Sequence, residues 1–219
     1  MFNFSEAQAE ADQFTLELNG TQLLNHEVIA RYMEKQIKND YYLAPLTILA
    51  TEQAYWYTIH FTVGGQPKEI RIGGIIDRED YVTINGQSHY RIVDYKTSVH
   101  EQTAKSIDDL FLPAKNRASY ILQAFYYCEV RMAQARAMNE QLPAIMPTLA
   151  YIKRAMNTDM PAIMLGKEPV TDYQQQCHTP FNSHLQALLE EIFNPNIPFH
   201  QTTETAKCEY CPFHQLCNL

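Results

Sequence analysis

Asp77 and the triplet Asp94-Tyr95-Lys96 are the residues of this 219-residue chain whose types and spacing do chemistry. Side chains alternate along a strand, so Asp94 and Lys96 point one way while Val93 and Tyr95 point the other. Asn85-Gly86 is a strong turn signal, and residues 82–84 and 89–95 therefore read as the paired strands of a hairpin. Asp77 closes the strand before that hairpin, with Ile70, Ile72 and Ile76 sharing one face and Asp77 on the other. The pattern predicts that Asp77, Asp94 and Lys96 meet at one end of a sheet. Two carboxylates suffice for a hard divalent cation, because Mg²⁺ takes only one or two from a protein. A lysine beside them orients or deprotonates a water, or offsets charge building on a phosphate.

The second reactive stretch is Cys208-x-x-Cys211 with Cys217 six residues on. Three thiolates fall around one centre, whereas a closed zinc site or a [4Fe–4S] cluster takes four ligands. Zinc held by these three with His214 or Cys177 is one completion; an iron–sulfur cluster with a remote cysteine is the other. The odd count of five cysteines, without secretory features, argues for a reducing compartment and for metal or cluster use rather than disulfides. No apolar run is long enough to span a bilayer, and no signal-peptide pattern opens the chain. A formal charge of −8 is unusual for a protein that grips DNA alone, so tight binding is expected to be supplied elsewhere.

Those residues need elements to hold them. The length fits one domain over 1–219, with a helical lead-in over 1–40 and a cysteine-rich tail over 200–219. Residues before Asn19 are polar and irregular. Leu24, Val28, Ile29, Tyr32, Met33 and Ile37 recur at helical spacing over 22–38. Residues 46–51 and 55–63 read as strands, the second alternating Tyr55, Tyr57, Ile59, Phe61 and Val63 against polar partners. Glu52, just ahead of it, is either an extra acidic group or a solvated surface residue. A helix is predicted over 118–138, where Gln123 and Tyr127, four apart, share a face. That pair suits a phosphate or the lysine; the alternative is that Phe125, Tyr126 and Tyr127 form a core stripe, which leaves Gln123 unexplained. Residues 147–153 and 162–165 are expected to finish the sheet. Thr179-Pro180 reads as the cap and first position of a last helix, which Asn194-Pro195 ends.

The wording Gly74-Ile75-Ile76-Asp77-Arg78, then Val93-Asp94-Tyr95-Lys96-Thr97, resembles the D…(D/E)-x-K signature of the PD-(D/E)XK nuclease superfamily, in particular its RecB-type branch. Gln123-x-x-x-Tyr127 is similar to a further motif of that branch, where the pair borders the active site and contacts nucleic acid. The tail resembles the C-terminal cysteines of AddB/RexB-type helicase–nuclease subunits and of CRISPR-associated nucleases that carry a cluster. The resemblance implies an α/β, restriction-endonuclease-like core, a central mixed sheet flanked by helices. It implies Mg²⁺ or Mn²⁺ on Asp77, Asp94 and the Tyr95 carbonyl, with Lys96 positioning the attacking water. It further implies a [4Fe–4S] cluster on Cys208, Cys211 and Cys217, a DNA substrate, a helicase partner and a cytoplasmic exonuclease of DNA-end repair.

Two family features are absent. Leu24 stands where the branch's helical histidine belongs after Gly20, and His26 is two places late, a rotation of about 200° on a helix. No cysteine precedes Cys128 to supply the remote cluster ligand. Both absences lead to the expectation of a C-terminal piece of a longer protein, closest to the AddB type. A CRISPR-associated nuclease and a non-catalytic DNA-end-binding scaffold remain the alternatives.

Overall fold

The computed structural model describes residues 19–114, 117–154, 161–209 and 211–217. The chain forms two compact units, Met1–Lys38 and Asn39–Leu219. The irregular lead-in expected before Asn19 lies outside the described residues.

Helix α1, Gly20–Tyr42, begins in the first unit and is longer than its apolar repeat. Its start is fixed by a reciprocal cap. The Gln22 N–H donates to Asn19 Oδ1 at 3.0 Å, and the Asn19 N–H donates to Gln22 Oε1 at 2.9 Å. Each bond satisfies a backbone donor at the helix start.

The second unit is built on a sheet of four strands in the order β1-β2-β3-β4. They are β1 (Leu46–Val63), β2 (Gln66–Ile84), β3 (Gln87–Lys96) and β4 (Ile145–Tyr151). β1, β2 and β3 form an antiparallel meander; β4 returns parallel to β3, and the sheet is therefore mixed. The parallel return needs a crossover, and helix α2, Ser119–Ala137, lies within it. Asn85 and Gly86 both take positive φ, 52° and 77°, the backbone that a two-residue hairpin turn demands. Val82 pairs with His89 across it.

Four expectations are corrected. Residues 46–51 and 55–63 are one strand, interrupted only by a register slip between Ile48 and Ala50 and by Glu52 at φ 51°. β2 does not end at Asp77. It runs on through it, and what stops there is its pairing with β3, whose last registered pair is Arg78 with Val93. Residues 162–165 add no strand to the sheet, and their one bond to it among the described residues is from the Ile163 N–H to the Pro147 carbonyl of β4 at 3.2 Å. Only Met164–Leu165 is extended, and it pairs with Glu168–Pro169 in a separate two-stranded ribbon, β5 and β6. The last helix also differs in its start. After the short α3 (Tyr173–Gln176), α4 runs from His178 to Ile192. Cys177 takes the cap position that Thr179 was expected to fill, and Pro180 lies inside the first turn. Proline is tolerated there because first-turn N–H groups have no helical acceptor.

α2 covers one face of the sheet with Ile121, Ala124, Phe125 and Cys128, all essentially inaccessible, against Ile76 and Ile92. Phe181, Leu185 and Leu189 of α4 extend this core, and Phe193 packs on Phe61 with ring centroids 5.5 Å apart.

The centre of the sheet is charged on both faces. On the α2 face, buried Glu79 accepts from the hydroxyls of Tyr55 and Tyr90 and from Arg131 Nε at 3.0 Å. Arg131 also grips both carboxylate oxygens of Glu140 at 2.7 Å. Burial, then Glu79, pushes both phenols above the ordinary tyrosine range, so they remain donors. Burial alone would lower the Arg131 pKa; its acidic and phenolic partners more than reverse that. On the opposite face buried Asp80 accepts from Arg78 and twice from Arg91, while Arg78 reaches Asp40 and the Tyr95 hydroxyl.

Candidate active site

The fork where β2 leaves β3 is the site's foundation. One step beyond the Arg78–Val93 pair, Asp77 lies level with Asp94. The Tyr95 N–H, which would otherwise continue the ladder, donates instead to Asp77 Oδ2 at 2.8 Å. A carboxylate thereby replaces a backbone acceptor and holds the strands apart. In an extended strand a residue's N–H and C=O point to the same side, so the Tyr95 carbonyl faces the same fork.

Asp94 is 3 % exposed and forms an ion pair with Lys96. Apart from the Lys96 ammonium, no N–H or hydroxyl among the described residues donates to its carboxylate. Burial raises its pKa, Lys96 pulls it back, and neighbouring Asp77 raises it again. Lys96 Nζ also donates to Gln123 Oε1 at 2.7 Å and lies 4.6 Å from the centroid of the Tyr120 ring. Gln123 Nε2 in turn donates to the Tyr127 hydroxyl at 2.9 Å. The phenol oxygen accepts there, leaving its own proton free to donate. Burial raises the Tyr127 pKa first, with Asp94, Asp77 and Glu52 adding to it.

The structure thus gathers Asp77, Asp94, Lys96, Gln123 and Tyr127. Tyr120 is a neighbour that the sequence reading passed over, although Tyr120, Gln123 and Tyr127 fall on one helical face at spacings of three and four. Glu52, whose registered neighbours Thr51 and Gln53 pair with Arg78 and Ile76, stands opposite Asp77. His26 is exposed on α1, in the other unit.

The donor set fits a divalent cation. Two carboxylates lie side by side, the buried one is paired with Lys96 and has no other donor among the described residues, and a backbone carbonyl faces the gap. Among the described residues no three His, Cys, Asp or Glu side chains converge on a metal position. The carboxylate pair, a carbonyl and waters match the coordination habit of Mg²⁺.

The pKa direction of Asp94 gives a test with a definite sign. A carboxylate that holds its proton more tightly folded than unfolded favours the folded state at acid pH. That contribution fades as pH rises through the raised folded-state value, so the metal-free protein carries the cost at neutral pH. Asp94→Asn should therefore unfold at higher urea than wild type near neutrality without metal, the gap narrowing as pH falls. Wild type and variant melting alike at every pH would contradict this.

In the tail, Cys208, Cys211 and His214 lie on successive turns, each linked to the next by a backbone bond, and Cys217 is exposed. The three cysteines are not drawn together as a three-ligand group. Cys128 and Cys177 are buried in the main core, and burial pushes the Cys177 thiol up to about 12. No helix among the described residues is long and apolar enough to cross a membrane.

In comparison with protein families, the model of the PD-(D/E)XK nuclease superfamily matches residues 4–218. No curated protein matches the chain.

Proposed function

The chain belongs to the PD-(D/E)XK nuclease superfamily, and from that premise we propose that it is a Mg²⁺- or Mn²⁺-dependent deoxyribonuclease acting as an exonuclease on DNA ends. The observation that carries the reading is the fork, where two carboxylates and a lysine meet at the end of a ladder. Asp77, Asp94 and the Tyr95 carbonyl would hold the cation, which when bound would supply Lewis-acid stabilisation of charge on the phosphate. Lys96, fixed by Asp94 and Gln123, orients the water that attacks phosphorus and offsets the charge of the transition state. Gln123 and Tyr127 hold the scissile strand, the phenol donating to a phosphate oxygen.

The finer context rests on sequence. The Gly-x-Ile-Asp-Arg wording, Gln-x-x-x-Tyr and the three tail cysteines favour an AddB-type role in recombinational repair, beside a helicase subunit. The net charge of −8 agrees with a partner that supplies the grip on DNA.

The test pairs calorimetry with Mn²⁺ and cleavage of end-labelled linear DNA. Wild type should bind the ion and shorten DNA from its ends, and Asp94→Ala should do neither. Equal Mn²⁺ affinity in both proteins refutes the ligand assignment; a wild type that binds Mn²⁺ and DNA ends but never cuts favours the scaffold reading.

Cys208, Cys211 and Cys217 would hold a [4Fe–4S] cluster that needs a fourth thiolate. Anaerobic reconstitution of this chain should give iron that is lost in air. Full iron content and stable absorbance near about 400 nm after exposure to air would show that the chain completes the cluster itself.

A further inference from the structure

We propose that Gly74 is a positioning residue for the cleavage reaction: the absence of a side chain there seats the Tyr127 ring and so fixes the Lys96–Gln123–Tyr127 chain against Asp77 and Asp94. This rests on the nuclease reading above.

Gly73 and Gly74 are adjacent in β2, so their missing side chains belong to opposite faces of the strand. Each vacancy is filled by an aromatic ring. A Cβ on Gly73 would lie 2.6 Å from Cε3 of Trp56 and 2.2 Å from the Tyr55 carbonyl oxygen. A Cβ on Gly74 would lie 2.9 Å from Tyr127 Cε1 and 3.7 Å from the Tyr127 hydroxyl. The obstacles differ in kind. At Gly73 the closest atom is backbone of the paired strand, which moves only if β1 moves. At Gly74 the three nearest atoms all belong to the far end of the Tyr127 side chain, which can swing. Neither glycine has a left-handed φ, so alanine suits the backbone at both.

The Tyr127 ring thus rests on bare backbone three residues before Asp77, and its hydroxyl lies within the field of Asp77 and Asp94. α2 is held to the same spot by the Tyr126 hydroxyl, which donates to the Gly73 carbonyl at 3.0 Å. A methyl group on Gly74 cannot push the helix away cheaply, so it pushes the ring. The hydroxyl leaves Gln123 Nε2, the amide loses one of the two bonds that orient it, and Lys96 loses its fixed acceptor. Misplacing a catalytic group by about 1 Å costs on the order of 100-fold in rate.

The experiment compares wild type, Gly74→Ala, Gly73→Ala, Tyr127→Ala and the Gly74→Ala/Tyr127→Ala double variant. Each is read by urea unfolding, by the tyrosine ring carbon–proton NMR signals, with the Tyr127 signal identified from its loss in Tyr127→Ala, and by the Mn²⁺-dependent rate of DNA cleavage. Gly74→Ala should unfold near the wild-type midpoint, shift the Tyr127 signal and cut about 100-fold more slowly. Adding Gly74→Ala to Tyr127→Ala should change the rate little. Gly73→Ala should instead lose stability. The proposal is overturned if Gly74→Ala cuts at the wild-type rate, if it loses as much stability as Gly73→Ala without moving Tyr127, or if the double variant shows the two losses multiplied. A wild type that fails to cut overturns the nuclease reading itself, an outcome distinct from any of these.

Discussion

Lys96→Ala should slow DNA cleavage by about 10²–10⁴-fold, the range lost with a positioned proton-transfer group, while the protein still binds Mn²⁺. An ammonium has three donors and no acceptor, so it is no ligand to a hard cation. Its work is to hold a water and to face charge on the phosphate. The geometry adds a pH signature. Lys96 counteracts the burial that raises the Asp94 pKa, so without it Asp94 ionises less readily. Mn²⁺ affinity of the variant should trail wild type at low pH and converge with it as pH rises, because the cation needs the carboxylate deprotonated. Cleavage should not recover at any pH. Calorimetry across a pH series beside single-turnover cleavage separates the two effects. A variant that cuts as fast as wild type at saturating Mn²⁺ removes Lys96 from the mechanism.

The second large effect is on folding. Arg131→Leu should destabilise the second unit by about 3–5 kcal/mol, the usual cost of stranding one partner of a buried ion pair. Glu79 is 1 % exposed and would keep two phenolic donors but lose its only cation among the described residues. Glu140 would lose its bidentate partner on the α2 side. The double variant Glu79→Gln/Arg131→Leu should lose less than the two single losses summed, since the charge that made the first change costly is gone. Urea unfolding of the two single variants and the double variant beside wild type measures this. Strict additivity would mean that Glu79 and Arg131 act independently despite their contact.

Much of the site was legible because local periodicities report it. The two-residue repeat of a strand put Asp94 and Lys96 together, and the four-residue spacing of a helix put Gln123 beside Tyr127. The Asn85-Gly86 turn set the register that brings Asp77 level with Asp94. Glu79 and Arg131 lie 52 positions apart, and their pairing leaves no periodic trace in either segment. Their presence was signalled only by Arg78, Glu79 and Asp80 in succession inside a β-forming run, which forces charge onto both faces of a covered sheet. The end of the ladder at Asp77 was misread as the end of a strand. The residues before it remain β-forming because β1 still pairs with them, and the loss of a third strand is not written in the pattern of β2. Residues 162–165 were drawn to the sheet for a similar reason, since a short apolar run does not say which partner it meets.

The irregularity of β1 bears on solubility. β1 is an outer strand of 18 residues with no proline in it, and among the described residues one side of its backbone has no strand neighbour. A flat edge of that length is a template on which a second chain can add by hydrogen bonding. The slip between Ile48 and Ala50, followed within a few residues by Glu52 in left-handed backbone, twists the edge and turns some of its donors and acceptors out of line. No straight, continuous row spans the whole strand, and a charged side chain stands at the break. The same distortion that sets a carboxylate opposite Asp77 thus guards the sheet against edge-to-edge aggregation.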